Sequence, residues 1–316
     1  MLQRRAQLLA RTRAFFATRD VLEVETPVLS IAGATDPHID SFRVCYNGPG
    51  ARRGEQLYLH TSPEYPMKRL LAAGSGSIYQ LTRVFRDAEA GRYHNPEFTL
   101  LEWYRVGMDY HCLMDETAEL VAELLAIPGD RASPERLSYA HVFERYLDLD
   151  PHRSTAAQLR ACARARGIAG ALQLSPDDPD PWRDLLLSHC IEPQLGQERL
   201  TFVYDYPATQ AALARIQGDN PPVAQRFELY WRGIELANGF QELTDADEQR
   251  QRFEQDNRKR EANGKSRVRP DENLIAALAA GMPECAGVAL GFDRLLMHAV
   301  GANALSEVIA FDFDRA

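Results

Sequence analysis

The sequence contains no apolar run that approaches the roughly 20 residues of a membrane-spanning helix. Its first residues, MLQRRAQLLARTRAFF, carry basic side chains but neither a continuous apolar block nor a small-residue cleavage site. They therefore predict an amphipathic helix and not a signal peptide. Because both features are lacking, we expect a protein without a membrane partner.

Cysteine is scarce, and its spacing suits neither a scaffold nor a metal site. The five residues lie far apart in the chain, at Cys45, Cys112, Cys162, Cys190 and Cys285. An odd number without a Cys-x-x-Cys pair argues against a disulfide framework and against a zinc site. This usage fits the reducing cytoplasm, where we expect the protein to act.

Positive charge is outnumbered by negative charge. The 36 Lys and Arg residues face 45 Asp and Glu residues, so the net charge is −9 at pH 7, and the pI is about 5.5. Proteins that mainly bind polyanions usually show the opposite balance, which disfavours tRNA as a partner. The apolar fraction of 45% and the charged fraction of 26% are ordinary for a soluble globular protein. A chain of 316 residues can form one large domain or two.

The most informative stretch, residues 78–105, reads as two strands joined by a long polar loop. Alternating aromatic and β-branched residues predict strands over 78–86 and 97–105. The loop carries more charged and hydrogen-bonding side chains than a hairpin turn needs, namely Arg86, Asp87, Glu89, Arg92, His94 and Asn95. Arg86 could clamp a phosphate with two parallel hydrogen bonds, and Phe98 could offer a ring face to adenine. The alternative is a solvated hairpin with ion pairs.

A second informative stretch is GIELANGFQEL, residues 233–243. Its acids Glu235 and Glu242 are seven residues apart, around Asn238-Gly239. A β-bulge at the Asn-Gly pair would bring both carboxylates to one site, and such hard oxygen ligands suit Mg²⁺ that bridges ATP phosphates. The alternative is a pair of surface acids.

The remaining pattern predicts helices and strands along the whole chain. Helices are expected over 2–19, 63–73, 111–127, 139–147, 155–166, 182–190, 247–263 and 271–280, and from Phe292 onward. Strands are expected over 21–26, 56–60, 201–206, 227–231 and 285–290, and from Ile234 onward. Pro27 should end the first strand, Ser62 should be the N-cap of the second helix, and Arg232-Gly233 should form a tight hairpin.

These strings occur in the order of the three motifs of class II aminoacyl-tRNA synthetases. The helix and strand ending at Pro27 resemble motif 1, RVFRDAEAGRYHNPEFTLLEWYR resembles motif 2 of the lysyl branch, and GFDR at 291–294 resembles motif 3. The resemblance implies an α+β fold in which an antiparallel sheet is flanked by helices. It also implies a single catalytic domain over residues 1–316, with a helical insertion at about 110–200, and a homodimer formed through motif 1.

The resemblance also implies roles for particular residues, with ATP and Mg²⁺ as cofactors. Arg86 and Arg294 are the implied catalytic residues, and Glu235 and Glu242 the implied metal ligands. ATP is expected to contact Arg86, Asp87, Ala88, His94, Asn95, Phe98, Glu235, Leu236, Gly291 and Arg294. The substrate amino acid is expected to contact Ser62, Pro63, Glu64, Glu102, Tyr104, Glu242 and Ala289.

Three departures from lysyl-tRNA synthetases narrow the resemblance. Motif 1 begins within the first two dozen residues, so we expect no N-terminal β-barrel for an anticodon. Asp87-Ala88 replaces Asn-Glu, so the acid that helps to read adenine is lost or displaced to Glu89. Ala289 replaces a glycine, and one methyl group in a close-packed pocket is worth roughly 1–3 kcal/mol. This favours a substrate that differs from α-lysine around the α-carbon.

Together these features resemble the protein-ligase paralogues of lysyl-tRNA synthetase. Enzymes of that family activate (R)-β-lysine with ATP and attach it to a lysine side chain of translation elongation factor P. Two alternatives stay open. One is a truncated lysyl-tRNA synthetase or another amino-acid-adenylating enzyme, and the other is a non-catalytic regulatory paralogue that binds lysine-like ligands.

Overall fold

The computed structural model describes residues 1–50, 54–168 and 174–316, and they form two compact units. The first unit combines Met1–Met108 with Leu243–Ala316, and the second is Asp109–Glu242. No helix among the described residues is long and apolar enough to cross a membrane. The expected single domain over 1–316 stays a prediction, and residues 51–53 and 169–173 within it lie outside the described residues.

Helices surround sheets in both units, which confirms the predicted α+β class. The helices of the first unit are α1 (Leu2–Ala17), α2 (Glu64–Ala72), α8 (Ala246–Ala262), α9 (Glu272–Gly281) and α10 (Phe292–Val300). Its strands are β1 (Leu22–Glu23), β2 (Leu29–Ser30), β3 (Arg43–Tyr46), β4 (Glu55–Leu59), β5 (Ile78–Phe85), β6 (Glu97–Val106) and β12 (Cys285–Gly291). The helices of the second unit are α3 (Tyr110–Leu125), α4 (Gly129–Ala132), α5 (Tyr139–Leu147), α6 (Ala156–Ala165) and α7 (Asp180–Leu186). Its strands are β7 (Glu135–Ser138), β8 (Thr201–Pro207), β9 (Ile216–Gln217), β10 (Val223–Trp231) and β11 (Ile234–Gln241).

The first unit is built on the strand order β1, β5, β6, β12. β1 runs parallel to β5, whereas the β5–β6 and β6–β12 pairs are antiparallel. Helix α1 packs on this sheet through Phe16, whose ring stacks on Tyr79 with centroids 4.4 Å apart and meets Trp103 edge-on at 5.5 Å. Burial of these aromatic rings fixes the helix against the two strands that carry the motif 2 residues. A smaller antiparallel sheet has the order β2, β4, β3.

The second unit has the strand order β11, β10, β8, β7, and β9 also pairs with β10. All pairs are antiparallel except β7–β8, which is parallel. Helices α5, α6 and α7 pack into its core, in which Trp182, Tyr139 and Phe143 are fully buried. The indole N–H of Trp182 donates to the carbonyl oxygen of Ser175 at 2.7 Å, so burial leaves this donor satisfied.

Several predicted elements differ from the observed ones. The strand expected over 21–26 is reduced to the two residues of β1, and the helix expected over 182–190 begins at Asp180 and continues after Leu186 as a π-helical turn. The N-cap of α2 is Pro63 and not Ser62, although the Ser62 hydroxyl accepts the Glu64 N–H at 3.0 Å. Strand β7 was not predicted, because it is only four residues long and begins in a joint rich in Pro, Gly and Asp.

A β-bulge occurs in β11, but not at the Asn-Gly pair where it was expected. Leu229 pairs with Ala237 and Tyr230 pairs with Glu235, so the extra residue is Leu236. The ladder is regular through Asn238 and Gly239. The predicted position was therefore wrong by two residues. An Asn-Gly pair suits a turn, but here it lies inside a regular strand.

Candidate active site

Arg86 directly follows β5 and lies among groups that fix its guanidinium. Its Nε donates to the carbonyl oxygen of Thr61 at 3.4 Å, and its guanidinium lies 5.1 Å from the ring centroid of Phe98. Glu89 reaches the same guanidinium, with an Oε1–Nη1 distance of 3.7 Å. The structure thus brings together Arg86 and Phe98, as predicted for a phosphate clamp beside an adenine platform, and adds Glu89.

Arg294 lies in the first turn of α10 and contacts the motif 2 loop directly. Its Nε donates to the Tyr93 carbonyl oxygen at 3.3 Å, and its Nη2 lies 2.8 Å from Nε2 of His94. Since a guanidinium can only donate, Nε2 of His94 is the acceptor and the proton of the neutral ring is on Nδ1. Partial desolvation lowers the pKa of His94, and the charge of Arg294 lowers it further. A neutral His94 thus orients Arg294.

The loop after Arg86 turns sharply at Ala88. The backbone of Ala88 has φ +63°, the left-handed region that non-glycine residues rarely adopt, and its N–H donates to Oδ1 of Asp87 at 2.8 Å. The Asp87 N–H donates to the Asp40 carbonyl oxygen at 2.8 Å. This turn brings Glu89 within reach of Arg86.

Asp40 is itself held by two cations of the first unit. Its carboxylate oxygens accept from Arg260 and Lys265, each at 2.7 Å. Burial raises the pKa of Asp40, but the hydrogen bonds and charges of Lys265 and Arg260 outweigh it, and the net pKa lies below its ordinary value. The charged form of Asp40 thus anchors the segment that receives Asp87.

Asn95 uses both ends of its amide within the protein. Nδ2 donates to the carbonyl oxygen of Glu97 at 2.6 Å, and Oδ1 accepts the backbone N–H of Phe313 at 3.1 Å. The residue is buried. These two hydrogen bonds give Asn95 a role in holding the loop. The contact of Asn95 with ATP stays a prediction.

A buried carboxylate, Glu102, is the centre of a second group of predicted residues. One of its oxygens accepts the hydroxyl of Ser62 and the other accepts the hydroxyl of Tyr104, both at 2.6 Å. Only 2% of Glu102 is exposed. A buried acid with hydroxyl groups around it is suited to bind a cationic amine.

Glu64 lies beside this group but already has a cation. Its Oε1 is 2.6 Å from Nζ of Lys68, one helical turn along α2, and Lys68 is almost fully buried. Part of the negative charge of Glu64 is therefore balanced within the protein, so its predicted contact with a substrate amine requires the other carboxylate oxygen. Lys68 was not identified from the sequence.

Ala289 lies directly opposite Glu102 in the β12–β6 ladder. Directly paired residues of an antiparallel sheet point to the same face, with Cβ atoms about 5 Å apart. The Ala289 methyl group therefore lies on the same face of the sheet as the side chain of the buried Glu102. Gly291 ends β12, where an added Cβ would contact the side chain of Arg294 at 3.7 Å.

The predicted acids Glu235 and Glu242 belong to the second unit, as does Leu236. Without a bulge, two residues seven apart in a strand point to opposite faces. The extra residue Leu236 changes this alternation, so Glu235 shares a face with Asn238 and, by continued alternation, with Glu242. Glu242 is 1% exposed. Carboxylate oxygens on one face fit a hard cation such as Mg²⁺.

Charged residues of β10 lie on the same face as Glu235. Arg226 donates to Oδ1 of Asn238 at 3.3 Å and forms an ion pair with Glu228, which also accepts from Tyr230. Burial acts against the charged form of Arg226, but Glu228, Tyr206 and Glu235 outweigh it and raise its pKa. In the part of the chain that the structure describes, no group of three or more His, Cys, Asp or Glu side chains could hold a metal ion. Two acids would need oxygens from a nucleotide to complete a coordination shell.

A network around Asp293 was not predicted from the sequence. Arg5 of α1 pairs with one oxygen of Asp293 and donates to the Thr99 hydroxyl at 2.6 Å. The other oxygen of Asp293 accepts the Thr99 N–H at 2.6 Å. The GFDR string could have pointed to Asp293, but nothing in the sequence pairs it with Arg5.

The first unit thus contains two arginines at the motif 2 loop, the aromatic ring of Phe98 and a buried acid, an arrangement that resembles the catalytic module of a class II synthetase. Residues 1–315 match the family described as tRNA synthetases class II (D, K and N). The chain is 54% identical over 315 residues to the elongation factor P–(R)-β-lysine ligase of Pectobacterium atrosepticum. The matched region covers 100% of this chain and 95% of that protein. The ligases of the same name from Sodalis glossinidius and Edwardsiella ictaluri are 54% and 53% identical, with the same coverage. The chain therefore belongs to the class II synthetase family and, within it, to the family of these ligases.

Proposed function

We propose that this protein is an ATP-dependent ligase that activates (R)-β-lysine and transfers it to a lysine side chain of elongation factor P. The relatives that carry this name share more than half of its residues over the whole chain. The observation that carries the choice of substrate is Ala289 opposite Glu102. A methyl group beside the acid that would bind an amine favours an amino group displaced from the α-carbon.

In the first step the carboxylate of the amino acid attacks the α-phosphorus of ATP. A carbon–oxygen–phosphorus linkage forms, pyrophosphate leaves, and the aminoacyl-adenylate stays bound. Such a step needs positioning and charge neutralisation more than covalent help. Arg86 and Arg294 would supply the positive charge, and Phe98 would hold the adenine ring. Magnesium, when bound, neutralises charge on the phosphate oxygens, and Glu235 with Glu242 would hold it.

The two amines of the substrate require negative charge in a site with little water. Glu102 would bind one of them, with Ser62 and Tyr104 orienting its carboxylate. Glu242 would bind an amine as well as magnesium, and Glu64 would contribute its carboxylate oxygen on the side away from Lys68. In the second step an ε-amino group of the acceptor attacks the adenylate carbonyl, an amide bond forms, and AMP leaves.

Substrate-dependent exchange of pyrophosphate into ATP tests the first step. Exchange should be faster with (R)-β-lysine than with α-lysine. Preference for α-lysine would instead favour a truncated lysyl-tRNA synthetase. No exchange with either amino acid, in the presence of Mg-ATP, would favour a regulatory paralogue that binds lysine-like ligands.

We also propose that the protein acts in the cytoplasm as a homodimer and without tRNA. Several apolar side chains in the motif 1 region are exposed, including Leu22, Leu29 and Ile31. Apolar side chains that stay exposed in one subunit can be covered by a second subunit. Light scattering should give the mass of a dimer, and the double variant Leu29→Glu, Ile31→Glu should give a monomer. A monomeric wild-type protein at micromolar concentration would contradict this part of the proposal.

A further inference from the structure

The segment from Asn303 to Arg315, here called the 303–315 segment, is tied to the motif 2 loop at two points. At the first point, Nε of Arg92 donates to the Asn303 carbonyl oxygen at 2.8 Å, and the Leu305 N–H donates to the Arg92 carbonyl oxygen at 2.9 Å. At the second, the Phe313 N–H donates to Oδ1 of Asn95 at 3.1 Å. The two points flank His94.

The loop between these points is itself a tight turn. Gly91 and His94 exchange backbone hydrogen bonds of 3.1 and 3.3 Å. With Arg92 and Asn95 both held, the turn has little freedom to move His94. The ring of His94 in turn accepts from Arg294 at 2.8 Å.

The same segment is also joined to the helix that carries Arg294. α10 ends at Val300, and the next residue, Gly301, has a φ of +69° that reverses the chain. The Ala302 N–H donates to the Met297 carbonyl oxygen at 2.9 Å. Beyond it, Leu305 and Val308 are buried, whereas Phe313 is 65% exposed. The segment is thus packed at its start and attached to Asn95 near its end, and it connects the α10 arginine with the loop histidine.

We propose that the 303–315 segment is a positioning device for nucleotide binding: through Arg92 and Asn95 it holds His94 against Arg294. Asn95 and Phe313 are accordingly positioning residues and not catalytic ones. This inference rests on the proposed role of Arg294 in binding ATP. It assigns a function to a part of the chain outside the three synthetase motifs.

A proline at position 313 tests the proposal with little other change. Phe313 follows Asp312 in a turn closed by the Arg315 N–H and the Asp312 carbonyl oxygen at 2.9 Å, and proline is favoured at this second position of a turn. Phe313→Pro therefore removes one N–H donor and an exposed ring. Phe313→Ala removes the ring and keeps the donor, so it is the matched control.

We expect Phe313→Pro to raise the KM for ATP in pyrophosphate exchange about five- to tenfold, the effect of one lost hydrogen bond. The KM for (R)-β-lysine should stay near the wild-type value, and the thermal midpoint should fall by no more than about 4 °C. Phe313→Ala should stay within about twofold in each. An unchanged KM for ATP in Phe313→Pro, or an equal rise in both KM values, would overturn the proposal.

The pH profile gives a second readout that loss of stability alone would not move. His94 faces the charges of Arg294, Arg86 and Glu89, and Arg294 contributes to its low pKa. If Phe313→Pro loosens the contact with Arg294, the acid limb of kcat/KM for ATP should shift to higher pH. An unshifted limb would contradict the proposed link to His94.

Two further variants separate this inference from the proposed site. A chain that ends after Ala310 should reproduce the Phe313→Pro effect, and a wild-type KM for ATP in that chain would overturn the inference even if the proline variant failed to fold. Arg294→Ala should nearly abolish exchange. If it does not, the proposed ATP site fails, whatever the result at position 313.

Discussion

At the scale of a single residue, the proposed preference for (R)-β-lysine depends on Ala289, which pairs directly with the buried residue Glu102. We predict that Ala289→Gly raises kcat/KM for α-lysine about tenfold, since a methyl group in a close-packed pocket is worth roughly 1–3 kcal/mol. Pyrophosphate exchange with both amino acids measures the effect. Unchanged discrimination would remove Ala289 from the explanation of specificity.

His94 should give the enzyme an acid limit. Its pKa is lowered from 6.5, so the ring is neutral at pH 7 and can accept from Arg294. When the pH falls below that lowered pKa, a charged ring repels the guanidinium, and kcat/KM for ATP should decrease. His94→Gln keeps a neutral acceptor, so this variant should lose the acid limb while it retains ATP binding. An acid limb identical to the wild type would contradict this role.

Individual contacts were harder to predict than residue types. Arg86, Phe98 and His94 could be selected from one string, because a guanidinium, an aromatic ring and an imidazole at a strand end suit a nucleotide. The partner of Glu64 could not be predicted. A Glu–Lys pair at i and i+4 of a helix is usually solvated, whereas Lys68 is buried here. The attachment of Asn95 to Phe313, 218 residues away in the chain, has no local signal.

At the scale of secondary-structure elements, the network of Arg5, Thr99 and Asp293 joins α1, β6 and α10. Asp293 has a side chain that is 2% exposed, so removal of its cation leaves a buried charge. We predict that Arg5→Leu lowers the free energy of unfolding by about 3 kcal/mol, as measured with urea.

Arg13 offers a matched control on the same helix. Its ion pair with Glu23 is about half exposed on both sides. Arg13→Leu should therefore change the free energy of unfolding by no more than about 1 kcal/mol. Equal effects of the two substitutions would show that burial of Asp293 does not determine the cost.

Most helices and strands could be predicted from the periodicity of apolar residues, and the exceptions have physical causes. The strands of residues 78–105 were predicted almost to their ends, because alternation over eight or more residues is a strong signal. The bulge was predicted at Asn238-Gly239 but lies at Leu236, because an apolar residue in an apolar strand does not indicate irregular pairing. β7 was missed because four residues beside prolines resemble a loop, and its pairing with β8 is non-local.

At the scale of the whole molecule, the 45 acidic residues outnumber the 36 basic ones. The net charge of −9 disfavours a polyanion such as tRNA as the acceptor. The α+β class and the order of the motifs were predictable from the sequence, because motif strings are local. In the proposed mechanism, the choice of amino acid depends on packing around Glu102, and the choice of acceptor depends on a partner surface. Neither feature can be predicted from a short sequence motif.

The most direct test of the central claim is the mass of elongation factor P after incubation with this protein, Mg-ATP and (R)-β-lysine. We predict a single addition of one β-lysyl group on one lysine side chain, and no addition with the Arg86→Ala or Arg294→Ala variant. An unmodified factor together with lysine charged onto tRNA would contradict the account.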